Sequence, residues 1–194
     1  MGEVHYDLFR HRIDRHTELR QVEEEQAVEL SRLVDRNREH LREWLPWVDD
    51  SRTTQDSRVF LREVRKMYRD SRTVTAGIWH RGRLSGMVGL NDIDWVNRST
   101  RFGYWLDAGL QGQGIMTRAC KALVEHVFAD LELNRIEIEA AVENVRSRAI
   151  PERLGFQLDG VRKEAQYLNG EYVDLAMYGM TAGEWHAREQ KPSG

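Results

Sequence analysis

A strand that breaks into a glycine-rich turn is the segment of this chain best suited to hold a charged group. Residues 104–106 (YWL) precede the turn, residues 107–114 (DAGLQGQG) form it, and apolar residues at helical spacing begin with Ile115. Gly112 and Gly114 allow main-chain N–H groups to crowd around an oxyanion. The amino terminus of the following helix adds about half a positive elementary charge. The segment therefore predicts a phosphate or pyrophosphate site.

Two common phosphate motifs do not fit this turn. No Lys-Ser or Lys-Thr pair follows the glycines, so the turn is not a Walker loop, and its spacing is not the G-x-G-x-x-G of dinucleotide folds. Nucleotide hydrolysis is therefore disfavoured. The residues alone leave one alternative open, in which Gly109, Gly112 and Gly114 only make a tight connection between strand and helix.

A second candidate segment is residues 144–156 (NVRSRAIPERLGF), where Asn144 and Ser147 stand three residues apart. A short helix is predicted here, and Gly155 lies in the position of a carboxyl-terminal cap. By themselves Asn144 and Ser147 are also typical of a structural helix cap. The pair therefore needs further support before it is assigned a chemical role.

The elements around the glycine turn predict how it is positioned. Apolar residues at steps of four predict a helix over residues 115–131, and strict alternation predicts a strand over residues 134–142. Strand, helix and strand then form a parallel unit with a right-handed crossover. That crossover places the turn at the carboxyl end of a strand, where open sheets bind ligands.

The rest of the chain predicts helices first and then strands. Helices are expected over residues 23–37 and 54–72, a short helical turn near residue 45, and one strand or two short ones in residues 6–22. A hairpin follows in residues 73–93, and another is expected around Asn169-Gly170. Two strands are predicted within residues 156–168.

The predicted fold is an α/β (α+β) arrangement, with a mixed, roughly seven-stranded sheet and helices on both faces. Residues 1–180 are predicted to form a single domain. Residues 181–194 are expected to be a polar tail that is mostly at the surface or disordered.

Composition limits the classes of function. A formal net charge of -3, from 29 basic and 32 acidic residues, disfavours nucleic acid as the main partner. No apolar stretch approaches the roughly 20 residues that span a bilayer, so no membrane association and a cytoplasmic location are predicted. The single cysteine, Cys120, is expected to be a small packed residue, and the seven histidines show no ligand spacing. No metal site is predicted.

Both candidate segments resemble signatures of the GNAT superfamily of N-acetyltransferases. Residues 111–116 (QGQGIM) resemble its Q/R-x-x-G-x-G/A signature, and residues 144–156 resemble its N-x-x-S-x-x-x-x-x-x-x-G-F element. The phrases GYWL, LNRIEI and YLNGEY are similar to the branch of RimJ/RimL-type ribosomal-protein N-terminal acetyltransferases. Met116 departs from the signature, which has Gly or Ala there, so its side chain must point away from the phosphates. The resemblance covers about residues 9–180.

This resemblance implies the acetyltransferase fold, acetyl-CoA as co-substrate and an amine as acceptor. The loop amides would bind the coenzyme pyrophosphate, and strand groups would face the thioester. The residues implied in coenzyme binding are Trp105, Leu106, Gln111, Gly112, Gln113, Gly114, Ile115, Met116, Thr117 and Asn144. An amide at Leu106 would polarise the thioester carbonyl, and Ser147 would donate a proton to the departing thiolate.

The base that would deprotonate the amine is not settled by the residues. In RimL-like enzymes a glutamate before the last hairpin has been proposed, and its position matches Gln166 here, which cannot accept a proton. Glu164 lies two residues earlier, hence on the same predicted strand face, and could substitute. Alternatively water removes the proton, since an α-amino group with a pKa of about 8 is partly neutral at pH 7.

The acceptor side is predicted from polar and aromatic residues. Asn91 and Asp92 end the third predicted strand, and Gln166 stands before the last hairpin. Trp44 and Trp47 flank Pro46, and we expect at least one of these tryptophans to line the acceptor cleft.

Three functions agree with these residues. The leading hypothesis is acetylation of an α-amino group, on a ribosomal-protein N-terminus or a small aminoacyl compound, in a ternary complex. A small-molecule acetyltransferase for antibiotics or polyamines is the second, because acidic residues stand near the predicted cleft. A non-catalytic acyl-CoA-binding module is the third, which Gln166 and Met116 would permit. A homodimer is compatible with this branch of the superfamily.

Overall fold

Eight strands form one mixed sheet, in the order β1-β2-β3-β4-β5-β6-β8-β7, in the computed structural model, which describes residues 9–189. The strands are β1 (Arg10–Arg12), β2 (Thr17–Gln21), β3 (Thr75–His80), β4 (Arg83–Asp94), β5 (Ser99–Leu106), β6 (Arg135–Ala141), β7 (Gln157–Leu168) and β8 (Glu171–Thr181). The helices are α1 (Ala27–Arg36), α2 (Arg38–Arg42), α3 (Thr54–Arg69), α4 (Ile115–Ala129), α5 (Val145–Leu154) and α6 (Ala182–Glu189). Short 3-10 helices lie at Glu24–Gln26, Pro46–Asp49 and Ala108–Leu110.

The mixed α/β class is confirmed, and the strand count is one higher than predicted. The first strand-like segment divides into β1 and β2, and the two strands predicted in residues 156–168 are a single strand, β7. Every neighbouring pair of strands is antiparallel except β5 and β6, which are parallel and joined through α4. The predicted strand, helix and parallel strand are therefore present.

Helices cover both faces of the sheet, as the alternating side chains of β4 show. Val88 packs in a core cluster that includes Leu123 of α4, whereas the next residue, Met87, packs in a second cluster with Leu33 of α1. Successive strand residues point to opposite faces, so α4 and α1 lie on opposite sides. Cys120 is fully buried in the α4 cluster, as expected for a packed residue.

Strands β5 and β6 separate halfway along their length. Their pairing runs only from Ser99 opposite Arg135 to Phe102 opposite Ile138. Beyond that point β5 stays paired with β4 up to Leu106, and β6 stays paired with β8. The sheet is therefore split between β5 and β6 at their carboxyl ends.

The polar tail predicted after residue 180 is mostly exposed in the part that the structure describes, but it forms a helix with one buried side chain. Ala182–Glu189 forms α6, and Trp185 is buried against Phe128 of α4 with ring centroids 6.2 Å apart. The sequence signal was weak because a single tryptophan provides most of the buried apolar surface of this short helix. None of the helices within residues 9–189 is long and apolar enough to span a bilayer.

The packing of Trp185 predicts that α6 contributes to stability. Replacing Trp185 with Ala should lower the free energy of unfolding by about 3 kcal/mol, because it removes a buried aromatic side chain and leaves a cavity. Urea denaturation would measure this change. His186→Ala, at an exposed neighbouring position, is the matched control and should have little effect. Equal midpoints for the two variants would contradict the role of α6.

Candidate active site

A cleft of about 2340 Å³ opens at the split in the sheet. Its walls come from the carboxyl ends of β5 and β6, the start of α4, the start of α5, and the segment from α1 to α3 on the other side. Sites for one drug-sized ligand usually occupy about 300–1,000 Å³. The cleft therefore has room for two reactants side by side.

The glycine turn forms one end of this cleft. Gly112 and Gly114 have φ values of +74° and +70°, the left-handed region that favours glycine. The first intrahelical hydrogen bond of α4 runs from the Arg118 N–H to the Gly114 carbonyl at 3.1 Å. The N–H groups of Ile115, Met116 and Thr117 therefore have no acceptor within the helix, as is general for the first turn.

The side chains of this first turn point into the protein. Ile115 is 1% exposed and Met116 is 7% exposed, and both belong to the core cluster under the sheet. The Met116 side chain thus packs away from the turn while its main chain still borders the cleft. Gln113 is the one residue of 111–117 that is not in the wall of the cleft, and its side chain turns back to the Gly109 carbonyl.

Gln111 connects the turn to two helices. Its side-chain nitrogen lies 2.7 Å from His40 Nε2, and its side-chain oxygen accepts a hydrogen bond of 2.9 Å from Arg146. These contacts fix the turn between α2 and α5. In this structure Gln111 therefore acts through its side chain as a support for the turn.

Alternation along β5 determines which main-chain groups face the split. The Asp107 N–H donates to the Ser85 carbonyl, so this pair of β5 and β4 residues is hydrogen-bonded. Hydrogen-bonded and non-hydrogen-bonded residue pairs alternate along antiparallel strands. The N–H and carbonyl groups of Trp105 therefore also point to β4, whereas those of Tyr104 and Leu106 point to β6. Because β6 has diverged, Tyr104 and Leu106 have no strand partner on that side.

The same argument applies to β6. The Val142 N–H donates to the carbonyl of Asp174 on β8. The N–H and carbonyl groups of the even-numbered residues of β6 therefore point to β8. The main-chain groups of Glu139 and Ala141 therefore face β5 across the split. The expectation that the main chains of both Trp105 and Leu106 face the thioester is corrected for Trp105, whose N–H and carbonyl are directed to β4.

A pair of hydroxyl groups stands beside the split. The Tyr104 hydroxyl donates to the Ser147 carbonyl at 3.0 Å, and the Ser147 hydroxyl lies 3.3 Å from the Tyr104 hydroxyl. Burial raises the pKa of Tyr104 well above its ordinary value. The phenol therefore keeps its proton over the whole physiological range and can act as a donor.

Asn144 caps α5 in this structure. Its side-chain oxygen accepts a hydrogen bond of 3.1 Å from the Ser147 N–H. This is the structural role that the residues alone suggested. The cap also fixes the first turn of α5, and hence the position of the Ser147 hydroxyl beside Tyr104.

Tryptophans form part of the cleft wall. Trp44 and Trp47 both border the cleft, and the Trp47 ring lies 6.1 Å from the ring of Trp105. Asn91 and Asp92 border it too, at an irregularity of β4 where Asp92 has a φ of +55°. Asp92 is exposed and forms an ion pair of 3.4 Å with Arg72.

The structure brings Gln166 to the cleft but not Glu164. The register of β7 against β8 shifts between Arg162 and Gln166, so residues two apart there no longer share a face. Glu164 has a φ of +46°, its N–H donates to Asp174 Oδ1, and its side chain is outside the cleft wall. The prediction that Glu164 shares the face of Gln166 is therefore wrong.

Sequence reasoning missed four residues at this site. Tyr104 was part of the GYWL phrase, and its strand alternation with Leu106 was the signal that could have found it. The others are charged residues that border the cleft on three different strands: Arg101, Glu139 and Arg162. Within residues 9–189, no group of three or more metal-ligating side chains is present.

Comparisons with known proteins agree with this geometry. The family model "Acetyltransferase (GNAT) domain" matches residues 16–157. The chain is 35% identical over 183 residues to the putative ribosomal N-acetyltransferase YdaF of Bacillus subtilis (strain 168), covering 94% of this chain and 100% of that protein. It is 32% identical over 161 residues to the ribosomal-protein-serine acetyltransferase of Escherichia coli (strain K12), covering 83% and 90%.

Solved structures give the same result. RimL, a ribosomal L7/L12 alpha-N-protein acetyltransferase in complex with coenzyme A, matches with a TM-score of 0.88 and 29% identity, covering 91% of this chain and 99% of that chain. The family match spans well over half of the residues, and its segment contains the glycine turn and the split. The chain therefore belongs to the GNAT family of acetyltransferases.

Proposed function

We propose that this acetyltransferase moves an acetyl group from acetyl-CoA to the α-amino group of a protein N-terminus, with a ribosomal protein as the acceptor. The names of the two relatives with the longest matches described above support a ribosomal acceptor. These two relatives do not favour the other two hypotheses, a small-molecule acetyltransferase and a non-catalytic module. The cytoplasmic location and the homodimer stay predictions for this chain.

The split in the sheet is the observation that carries this proposal. The open main-chain groups of Tyr104 and Leu106 on β5, and of Glu139 and Ala141 on β6, can pair with the amide groups of a pantetheine arm. At the end of the split, the first-turn amides of α4 suit a pyrophosphate, because the helix dipole favours negative charge there. An extended chain with a pyrophosphate at one end fits this arrangement.

Main-chain and hydroxyl groups would support the transfer. The amine attacks the thioester carbonyl carbon, a bond forms between nitrogen and carbon, and the bond from carbon to sulfur breaks. The Leu106 N–H faces the split and is suited to stabilise the developing oxyanion. The Tyr104 and Ser147 hydroxyls both carry a proton and lie beside the split, so they are the groups placed to return a proton to the thiolate.

A protein base is not needed for this acceptor. An α-amino group with a pKa of about 8 is partly neutral at physiological pH, so water can take the proton that leaves the nitrogen during attack. Gln166 borders the cleft and cannot accept a proton, and Glu164 lies outside it. We propose that Gln166 instead donates or accepts hydrogen bonds with the acceptor main chain.

The proposed function is tested with peptides that carry N-terminal sequences of ribosomal proteins. Each peptide should contain an internal lysine, and acetyl-CoA should be the donor. Mass spectrometry with fragmentation is expected to find one acetyl group on the α-amino nitrogen and none on the lysine. Acetylation of lysine alone, or of small polyamines but no peptide, would refute the proposed acceptor.

A charge placed in the glycine turn should abolish coenzyme binding. Gly112→Glu places a carboxylate where the phosphates are expected, so the Kd for acetyl-CoA measured by calorimetry should rise by about a hundredfold or more. Gly82→Glu is the matched control, because Gly82 also has a left-handed φ, +76°, in the turn between β3 and β4. At both glycines a Cβ would meet no atom within 4 Å. Equal affinities in the two variants would contradict the site.

The hydroxyl pair should affect turnover and not coenzyme binding. Tyr104→Phe and Ser147→Ala are each expected to lower kcat by about tenfold or more, because they interrupt proton return to the thiolate. The KM for acetyl-CoA should stay near that of the wild type. Tyr172→Phe, at a tyrosine that is 66% exposed and outside the cleft, is the control. If neither variant lowers kcat, the hydroxyls are not the proton donors.

The pH dependence should follow the acceptor amine. We expect kcat/KM for a peptide to rise through about pH 8, as the amine loses its proton, and to level off about one pH unit higher. No decrease is expected near pH 9, because the raised pKa of Tyr104 keeps the donor protonated there. A decrease at that pH that disappears in Tyr104→Phe would contradict this assignment.

A further inference from the structure

Three charged residues from separate strands meet on one side of the cleft. Glu139 of β6 lies 3.6 Å from Arg101 of β5 and 3.2 Å from Arg162 of β7, one carboxylate oxygen facing each guanidinium. The Glu139 side chain is only 21% exposed, whereas those of Arg101 and Arg162 are 56% and 52% exposed. The carboxylate is thus largely covered by two guanidiniums that remain open to the cleft.

This trio, Arg101, Glu139 and Arg162, lies on the face of the sheet where the acceptor is expected. Arg101 and Trp105 are four residues apart on β5 and so point to the same face, and the Trp105 ring packs near Trp47. The trio also borders the same cleft as the tryptophans. It is therefore separate from the glycine turn, where the coenzyme phosphates are expected.

The trio has the charge and the free donors to bind an anion. Two cations and one anion leave a net positive charge. Each guanidinium has five N–H donors, and within residues 9–189 one donor of Arg162 and none of Arg101 forms a hydrogen bond. Glu139 holds the two guanidiniums on one side of the cleft, which lowers the entropy lost when they bind a ligand. A third cation would meet net repulsion there.

We propose that Arg101 and Arg162, positioned by Glu139, bind a carboxylate of the acceptor, which gives the enzyme a preference for protein N-termini with an Asp or Glu close to the reactive amine. Guanidinium groups match carboxylates in geometry and form charge-assisted hydrogen bonds with them. This inference rests on the proposed function, because it assumes a peptide acceptor.

The test compares peptides that differ only in Asp or Asn at the second, third or fourth position. For at least one position, wild-type kcat/KM should be about fivefold higher with Asp than with Asn, the size of a half-exposed ion pair. The ratio should fall towards one as ionic strength rises, because salt screens exposed charges. Arg101→Gln and Arg162→Gln should each reduce the ratio. Each ratio compares two peptides on the same variant, so partial loss of folded enzyme cancels.

Arg62→Gln is the matched control. Arg62 is also an exposed arginine paired with a glutamate, Glu24, but it lies outside this cleft, so the ratio should stay at the wild-type value. Equal kcat/KM for Asp and Asn peptides at all three positions would overturn the inference, as would a ratio that persists in both cleft variants. If the inference fails but the Asn peptides are still acetylated, the proposed function stands. If no peptide is acetylated, both the inference and the proposed function are refuted.

Discussion

The separation of β5 and β6 is the constraint on which the rest of the site depends. Two parallel strands that stay paired have no main-chain groups to offer a ligand, whereas here Leu106 and Ala141 face each other across an open split. Each strand keeps its other neighbour, and the pairing of Ser99 to Phe102 with β6 keeps the sheet continuous, so the seam is open only beyond Phe102. Unpaired main-chain groups need a partner, and an extended amide-bearing molecule can provide it.

The parallel pairing of β5 and β6 also explains why the glycine turn and the Asn144 segment lie at the same end of the sheet. β5 leads into the glycine turn and α4, and β6 leads into Asn144 and α5. Because parallel strands share one direction, the two helix starts lie at the same edge of the sheet. The contact between Tyr104 and Ser147 joins the two units and places a protonated phenol beside the split.

The two sides of the cleft have different chemistry. The end proposed for the coenzyme is formed by main-chain amides and a helix amino terminus, with Arg118 and Arg146 beside the glycine turn. The side proposed for the acceptor is formed by tryptophan rings, polar side chains and the trio around Glu139. We therefore expect acceptor specificity to depend on a few side chains, and coenzyme binding to depend mainly on backbone groups.

The sequence by itself determined the features that depend on local chemistry. The Gly155 cap and the α4 pattern are set by residues within a few positions of each other, so they were predicted correctly, and the Asn144 cap was one of the two roles that the residues left open. The tertiary structure decided what depends on distant partners. Tyr104 and Ser147 are 43 positions apart, and Glu139 and Arg162 are 23 apart. The β7 irregularity that excludes Glu164 and the docking of Trp185 likewise required the packed sheet, because neither a register shift nor a partner surface is encoded in local spacing.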